Sequence, residues 1–457
     1  MKALLKDVLS RAAADYIEIR LEDTLGTAIN FTGKELEECS QNVDFGGNVR
    51  ALVKGGWGFT TFNSLDDLAA KVELAISHAR SIGERRGENL KLAEVPVVET
   101  EIPFSAVNDP SAVPLEDKLS VIRGYNEQVL SFVPRVTTSS TRYHDKRRKV
   151  IFANSEGTYI SREFCDLAIS VGAIVRTPKG AFSGRAYNGS SNDYSKILGL
   201  EEDIVKSCER AIAIAEAEPV SGGCYTVILN PTLAGVFIHE AFGHLSEGDN
   251  VYEDPNLQKV MVLGREFGPS NLNVVDTGLD VGTRGYLPYD DEGVKTERTY
   301  LIRDGRLVGR LHSRETAAKM GERPTGNARA INFRFPPIPR MRNTCIEPGD
   351  VSFDEMIKAT DKGIYCLDAS GGQTNGELFT FTAGDAFLIE NGEITKRVRD
   401  VTLSGNVFET LKNIDMIGND YYLRDSGGGC GKGGQMPLPV SHASPHIRIR
   451  NVVVGGK

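Results

Sequence analysis

Two imidazoles and a carboxylate stand together in Ile238-His239-Glu240-Ala241-Phe242-Gly243-His244-Leu245-Ser246-Glu247-Gly248-Asp249, residue types that can assemble a metal-dependent hydrolytic site. In the common zincin arrangement the histidines are four residues apart, which at roughly 100° per residue leaves them about 40° apart on one helical face. Here they are five apart, and on a regular helix the second ring swings to about 140°. Joint ligation therefore predicts a widened turn or a helix that breaks near His244. Gly243 is the residue expected to permit that distortion, since it has no side chain to clash. A catalytic zinc commonly takes three protein ligands and keeps a fourth position for water, whose pKa it lowers toward neutrality. His239 and His244 supply two ligands, and Glu240 is placed to act on that water as general base. The plainer alternative is a helix carrying two ordinary histidines.

The third ligand lies elsewhere, and Cys430, His442, His446, Glu247 and Asp249 are the candidates. Cys430 sits in the glycine-rich run Ser426-Gly427-Gly428-Gly429-Cys430-Gly431-Lys432-Gly433-Gly434-Gln435, where the backbone can approach a metal closely. A thiolate beside Lys432 and a metal would be readily deprotonated. A phosphate-loop reading of the same run fails because Gly433 stands where Ser or Thr should follow Gly-Lys, and Ser426 replaces the first glycine. Glu247 and Asp249 fit better as groups orienting an imidazole or as a solvated turn. His442 and His446, near Pro439 and Pro445, read as loop or strand residues. Tyr289, in Tyr289-Asp290-Asp291-Glu292-Gly293, is a candidate oxyanion donor, with a solvated acidic turn as the alternative. Asn327 and Arg340, in Arg323–Arg329 and Pro339–Thr344, are candidates for holding substrate backbone or a carboxylate, or structural anchors.

The elements that must position these groups follow from periodicity. Leu5, Val8, Leu9, Ala12 and Ala13 recur at helical spacing, and Ile17, Ile19 and Leu21 then alternate with Glu18 and Arg20 as in a half-buried strand. The run Phe45 to Gly58 reads as strands joined by tight turns. A helix carries Leu65, Leu68, Ala69, Val72 and Ile76. Periodicity is lost from Gly87 to Val113 around Pro96, Pro103 and Pro110, which suggests a linker. A helix near Leu115–Phe132, a β-meander from Arg135 to Val175 and a helix near Leu200–Ala217 follow. The strand Cys224–Leu229 then leads through Asn230 and Pro231, a cap and first helical residue, into the helix bearing His239. Asp304-Gly305 and Asn391-Gly392 mark hairpins. The expectation is an α+β, sheet-rich architecture: 1–90 an N-terminal domain, 91–113 a linker, 114–220 a middle domain, and 221–457 an antiparallel-sheet domain carrying the metal-binding helix.

With 457 residues the chain is long enough for about three domains. A net charge of −9 argues against a nucleic-acid or anionic-membrane binder. The seven cysteines, Cys39, Cys165, Cys208, Cys224, Cys345, Cys366 and Cys430, have no disulfide spacing, so reduced thiols are expected. The amino terminus lacks the apolar run of a signal peptide, and no stretch approaches the ~20 apolar residues of a membrane span. A soluble, cytoplasmic protein is the expectation.

With the helix motif and the glycine-flanked cysteine together, the chain resembles the TldD/PmbA family of metallopeptidases, and within it the catalytic TldD-like branch. The resemblance rests on His239-Glu240-x-x-Gly243-His244-x-x-Glu247-Gly248-Asp249, Asp291-Glu292-Gly293, Pro324-Thr325-Gly326-Asn327, Pro339-Arg340-Met341-x-Asn343-Thr344, Asn391-Gly392-Glu393 and Cys430-Gly431-Lys432-x-Gly434-Gln435. It covers residues from about 224 to 457, and the amino-terminal regions match in general layout only. The resemblance implies Zn2+ held by His239, His244 and Cys430, with Glu240 as base. It implies small or unfolded peptides as substrates, entering as extended strands, and a dimer, either homodimeric or with a metal-free PmbA/TldE-like subunit. The rival readings are a non-catalytic peptide-binding scaffold and a structural zinc protein.

Overall fold

The structure, a computed structural model, describes residues 1–86, 90–424 and 428–455. Helix α1 (Lys2–Arg11) leads into strands β1 (Tyr16–Thr32), β2 (Glu35–Val53) and β3 (Gly56–Phe62), covered by α2 (Leu68–Arg86). There follow β4 (Glu99–Ile102), α3 (Leu115–Leu130), β5 (Thr138–Asn154), β6 (Tyr159–Thr177), β7 (Gly180–Ser190) and α4 (Glu201–Glu216). All seven strands form one sheet, ordered β3-β2-β1-β5-β6-β4 with β7 also on β6. Because β1 pairs antiparallel with both β2 and β5, the segments 1–90 and 114–220 share a continuous sheet. Within 91–113, β4 runs parallel to β6 at the sheet edge. Gly87, where helical periodicity was expected to lapse, lies outside the described residues.

One face of this sheet is apolar. Ile17, Ile19, Leu21 and Val49 pack with α1 and α2, and Ile29, Leu167, Ile169 and Val171 pack with α3 and α4. The other face was expected to meet water and instead is buried and charged. Glu18 and Arg20 are only 2% and 3% exposed. Arg50 joins Glu18 to Glu292, Arg20 and Arg148 share Glu22, and Arg162 and Arg20 bracket Asp291. Period-two alternation marks a polar face without revealing whether water or countercharges cover it. The acidic turn Asp290–Glu292 is accordingly the key that docks the third segment on the sheet, and all three carboxylates are buried.

The run from Phe45 to Gly58 contains one tight turn, at Lys54-Gly55, where φ is +49° and +77°. Gly46 and Gly47 are instead interior to β2. A Cβ on Gly46 would lie 2.3 Å from the Phe333 ring, so the glycine makes room for an aromatic side chain of the third segment.

The third segment starts with β8 (Glu218–Pro219), β9 (Gly223–Leu229) and α5 (Pro231–Ile238). Its eight-stranded sheet is ordered 362–375, β9, 447–455, 402–406, 378–390, 393–399 and β8, with 414–417 also on 447–455. Its six-stranded sheet is ordered 306–307, 298–303, 274–277, 343–346, 441–444 and 422–424. Pairing is mainly antiparallel, as expected, and the parallel exceptions are 362–375 on β9, 393–399 on β8 and 343–346 on 441–444. Both expected hairpins form, with positive φ at Asp304, Gly305, Asn391 and Gly392 as type I′ turns require. Among the described residues no helix is long and apolar enough to cross a membrane.

Candidate metal centre

Helix α5 is apolar on nearly every side and is correspondingly buried. Asn230 caps it by accepting from the Leu233 amide at 2.9 Å, Pro231 fills the first turn, and Phe237 packs edge-on against Phe379 and Phe381. This packing fixes the end of the helix, and His239 with it. The next turn is the widened one that the five-residue spacing demands: the His244 amide donates to the His239 carbonyl, an i→i+5 bond. The two rings come to 5.3 Å between centroids.

Gly243 acts differently from the expectation. Its φ and ψ, −57° and −53°, are ordinary right-handed helix that any residue adopts. A Cβ there would lie 2.0 Å from Met341 Sδ, and Met341 is fully buried. The glycine therefore serves close packing between the helical turn and the Pro339–Thr344 run.

Cys430 arrives from 186 positions downstream and places Sγ 3.4 Å from His244 Nε2. One donor atom each from His239, His244 and Cys430 falls within 4.8 Å of the others. Around one zinc in tetrahedral geometry such donors would stand roughly 3.3–3.6 Å apart, as follows from Zn–N and Zn–S bond lengths. The His244–Cys430 edge already has that length. Glu240 Oε2 lies 3.9 Å from His244 Nε2, beside the three-residue cluster.

The protonation states suit a metal. Burial pushes His239 down to about 4, leaving a neutral imidazole, and its buried Nδ1 has no hydrogen-bond partner among the described residues. Burial works against the charge on His244, yet Glu247 and the Cys430 thiol outweigh it and raise the ring to about 11. Burial likewise disfavours the Cys430 thiolate, but His244 outweighs it and the thiol is held below its ordinary value. His244 and Cys430 each favour the charged form of the other, and metal binding would displace a proton from the pair.

Glu247, fully buried, accepts at Oε2 from His244 Nδ1 at 3.0 Å and from Lys432 Nζ at 2.9 Å. It thereby turns Nε2 of His244 toward the cluster. Lys432 directs its ammonium to Glu247 and, at 2.6 Å, to Asp249, rather than to the thiol it was expected to activate. Ser426 and Gly427 of the glycine run lie outside the described residues.

The other candidates fall away from the donors or behind them. Arg340, fully buried, donates from its terminal nitrogens to the carbonyls of Cys430 (2.8 Å) and Gln435 (3.3 Å). It thus seats the Cys430–Leu438 ribbon. Asn327 is 2% exposed and donates to Asp276 and to the Arg340 carbonyl, one step further back. Tyr289 is half-buried and its carbonyl accepts from Arg162, with no contact between its ring and the cluster among the described residues. His446 is held by Asp420 and Tyr365. His442, a third-ligand candidate that read as a loop or strand residue, stacks edge-on at 4.6 Å from the His239 ring.

Two packed sheet systems bring His239 and His244 of the widened helical turn together with Cys430 of the ribbon, a cluster that could hold a metal ion. Family models match throughout: the PmbA/TldA metallopeptidase domain 1 at residues 17–80, the central domain at 108–217 and the C-terminal domain at 222–456. The chain belongs to the PmbA/TldD family of metallopeptidases. A Synechocystis sp. protein named as a metalloprotease is 43% identical, over 100% of this chain and 98% of that protein. A Saccharolobus solfataricus protein named as a zinc metalloprotease and TldD homolog is 28% identical over 97% of each. The fold is shared with TldE from Thermococcus kodakarensis, at a TM-score of 0.74, 18% identity and 100% of both chains. It is also shared with a Thermotoga maritima protein described as a proposed modulator of a DNA gyrase, at a TM-score of 0.76, 22% identity and 96% of both chains.

Proposed function

We propose that this protein is a zinc-dependent peptidase acting on small or unfolded peptides, with His239, His244 and Cys430 as the metal ligands and Glu240 as the general base. The observation that carries the reading is the meeting of three donor atoms within 4.8 Å, with the Glu240 carboxylate beside them. Two imidazoles and a thiolate are a borderline-soft set that suits zinc. When bound, zinc would supply an activated water and polarise the scissile carbonyl. The chain supplies the rest. Glu240 Oε2 accepts a proton from the attacking water and returns it to the leaving amine. Glu247 holds His244 in the tautomer that presents Nε2, and Arg340 holds the ribbon that presents the thiolate. A sheet-rich segment supports binding of peptides as added strands, and a TldE-like partner is the heterodimer counterpart of this reading.

The test pairs two variants with metal analysis and hydrolysis of an unstructured peptide library, with and without chelator. Glu240→Ala should keep the metal and lose about 10²–10⁴-fold in rate, while Cys430→Ala should lose both. Undiminished hydrolysis by Glu240→Ala would sink the mechanism. Metal without hydrolysis in the wild type would favour the scaffold or structural-zinc reading.

A further inference from the structure

Leu438, the register partner of Cys430, lines a cavity of about 220 Å³ between the first sheet and the third segment. Five cations line it, Arg20, Lys146, Arg148, Arg284 and Arg329, against two carboxylates, Asp166 and Asp291. Glu22, shared by Arg20 and Arg148 behind the wall, compensates one more, which leaves an excess of two positive charges.

Three of the cations are incompletely paired. The Lys146 ammonium has no hydrogen-bond or ion-pair partner among the described residues. Arg329 spends its terminal nitrogens on the carbonyls of Met341 and Pro439 and meets no carboxylate. Arg20, only 3% exposed, has no partner at Nε, and its Nη1 lies 3.3 Å from Asp291 without hydrogen-bonding to it. Arg20 and Arg329 are buried and Lys146 is half-buried, and buried cations left this way are costly unless something anionic completes them.

The remaining wall is mixed, apolar at Phe164, Leu287 and Pro437 and polar at His144, Tyr286 and Asn332. At about 220 Å³ the cavity is smaller than the ~300 Å³ at which pockets begin to hold drug-sized ligands. It suits a small anion carried on an apolar group. The pocket is also tied to the metal centre: Arg284 holds the carbonyl of Gly428, and Arg329 that of Pro439, at the two ends of the ribbon that presents Cys430.

We propose that this cavity binds the terminal carboxylate of a short peptide, one strand away from the metal centre. Guanidinium groups hold a carboxylate in the plane, and Lys146 adds a point charge. The inference rests on the peptidase reading and gives it a direction: short peptides would be held by their carboxyl end.

The experiment measures calorimetric binding of an N-acetylated tripeptide as the free acid and as the carboxamide, to full-length Glu240→Ala protein, with metal and again after chelation. The acid should bind about tenfold tighter than the amide, as a charge-assisted contact implies. Lys146→Gln, which removes an unpartnered side chain, should abolish that preference, and inorganic phosphate should compete with the acid. Equal binding of acid and amide would overturn the proposal, as would an acid preference that survives Lys146→Gln or disappears on chelation. Phosphate binding without any peptide preference would overturn it too, marking a simple anion site. The outcomes separate from the peptidase reading: acid preference in a protein that hydrolyses nothing would retain the pocket and remove the enzyme, and the reverse result would do the opposite.

Discussion

Gly243→Ala isolates what the glycine in the histidine motif is for. If the glycine were there for backbone freedom, alanine would strain the turn in any background. The dihedrals of −57° and −53° say that it would not, and alanine in helical conformation gains roughly 0.5–1 kcal/mol over glycine. The obstacle is Met341, whose Sδ would lie 2.0 Å from the new Cβ with Cε and Cγ at 3.2 and 3.4 Å. Ordinary contact is about 3.5–4.0 Å, so a fully buried side chain must retreat by roughly half that distance. Such overpacking costs about 1–3 kcal/mol. The net is about 1 kcal/mol against the variant, or about 2–4 °C in Tm for a unit of 150–250 residues, a size that the third segment matches. The assay is thermal unfolding in two backgrounds, with metal content measured alongside. In wild type Gly243→Ala should lower Tm, and in Met341→Val, where Sδ is gone, the same change should raise it. A shift of the same sign in both backgrounds would refute the packing argument.

Two further perturbations address the charged groups. Lys432→Met removes one of the two ion-pair partners of the buried Glu247 carboxylate and leaves it with His244, which should destabilise by about 1–3 kcal/mol and weaken metal binding by about 10–100-fold through His244; adding Glu247→Gln should restore part of the stability in chemical denaturation. Burial alone would raise Asp166, but Arg284 and His144 outweigh it and hold it well below its usual range. A depressed carboxylate contributes stability that is complete above its unfolded value near ~3.9 and is lost as pH falls toward the folded value. The Tm gap between wild type and Asp166→Asn should therefore be flat from about pH 8 to 5 and shrink below about pH 4; a gap that shrinks with rising pH would contradict the sign.

Much of the local structure was legible in residue spacing. The alternation in β1, the Asn230-Pro231 start of α5 and both Asx-Gly hairpins are properties of neighbouring residues, and they formed where the pattern placed them. The five-residue histidine spacing narrowed the local geometry to a widened turn or a break near His244, because no regular helix brings both rings to one face, and the widened turn is the one that formed. What spacing could not reveal was the partner across each polar surface. Glu18 and Arg20 read as the polar side of a half-buried strand and, with Glu22, proved to be half of a buried ion-pair layer. Asp290–Glu292 read as a substrate-facing or solvated turn and proved to be its other half. Asn327 and Arg340 read as possible substrate contacts and lie behind the cluster, supporting it.

The sequence alone therefore determined the chemistry available to this protein: two imidazoles, a carboxylate beside the first, a helix deformed by their spacing, and a cysteine among glycines. Tertiary structure alone decided that Cys430 meets His244 across 186 positions, that Lys432 serves Glu247 rather than the thiol, and that Gly243 answers to Met341. The physical reason is one of range. Backbone hydrogen bonding and side-chain periodicity act over a few residues and are written in order along the chain, whereas desolvation and charge pairing depend on which surfaces come together, and that is settled only when the sheets pack.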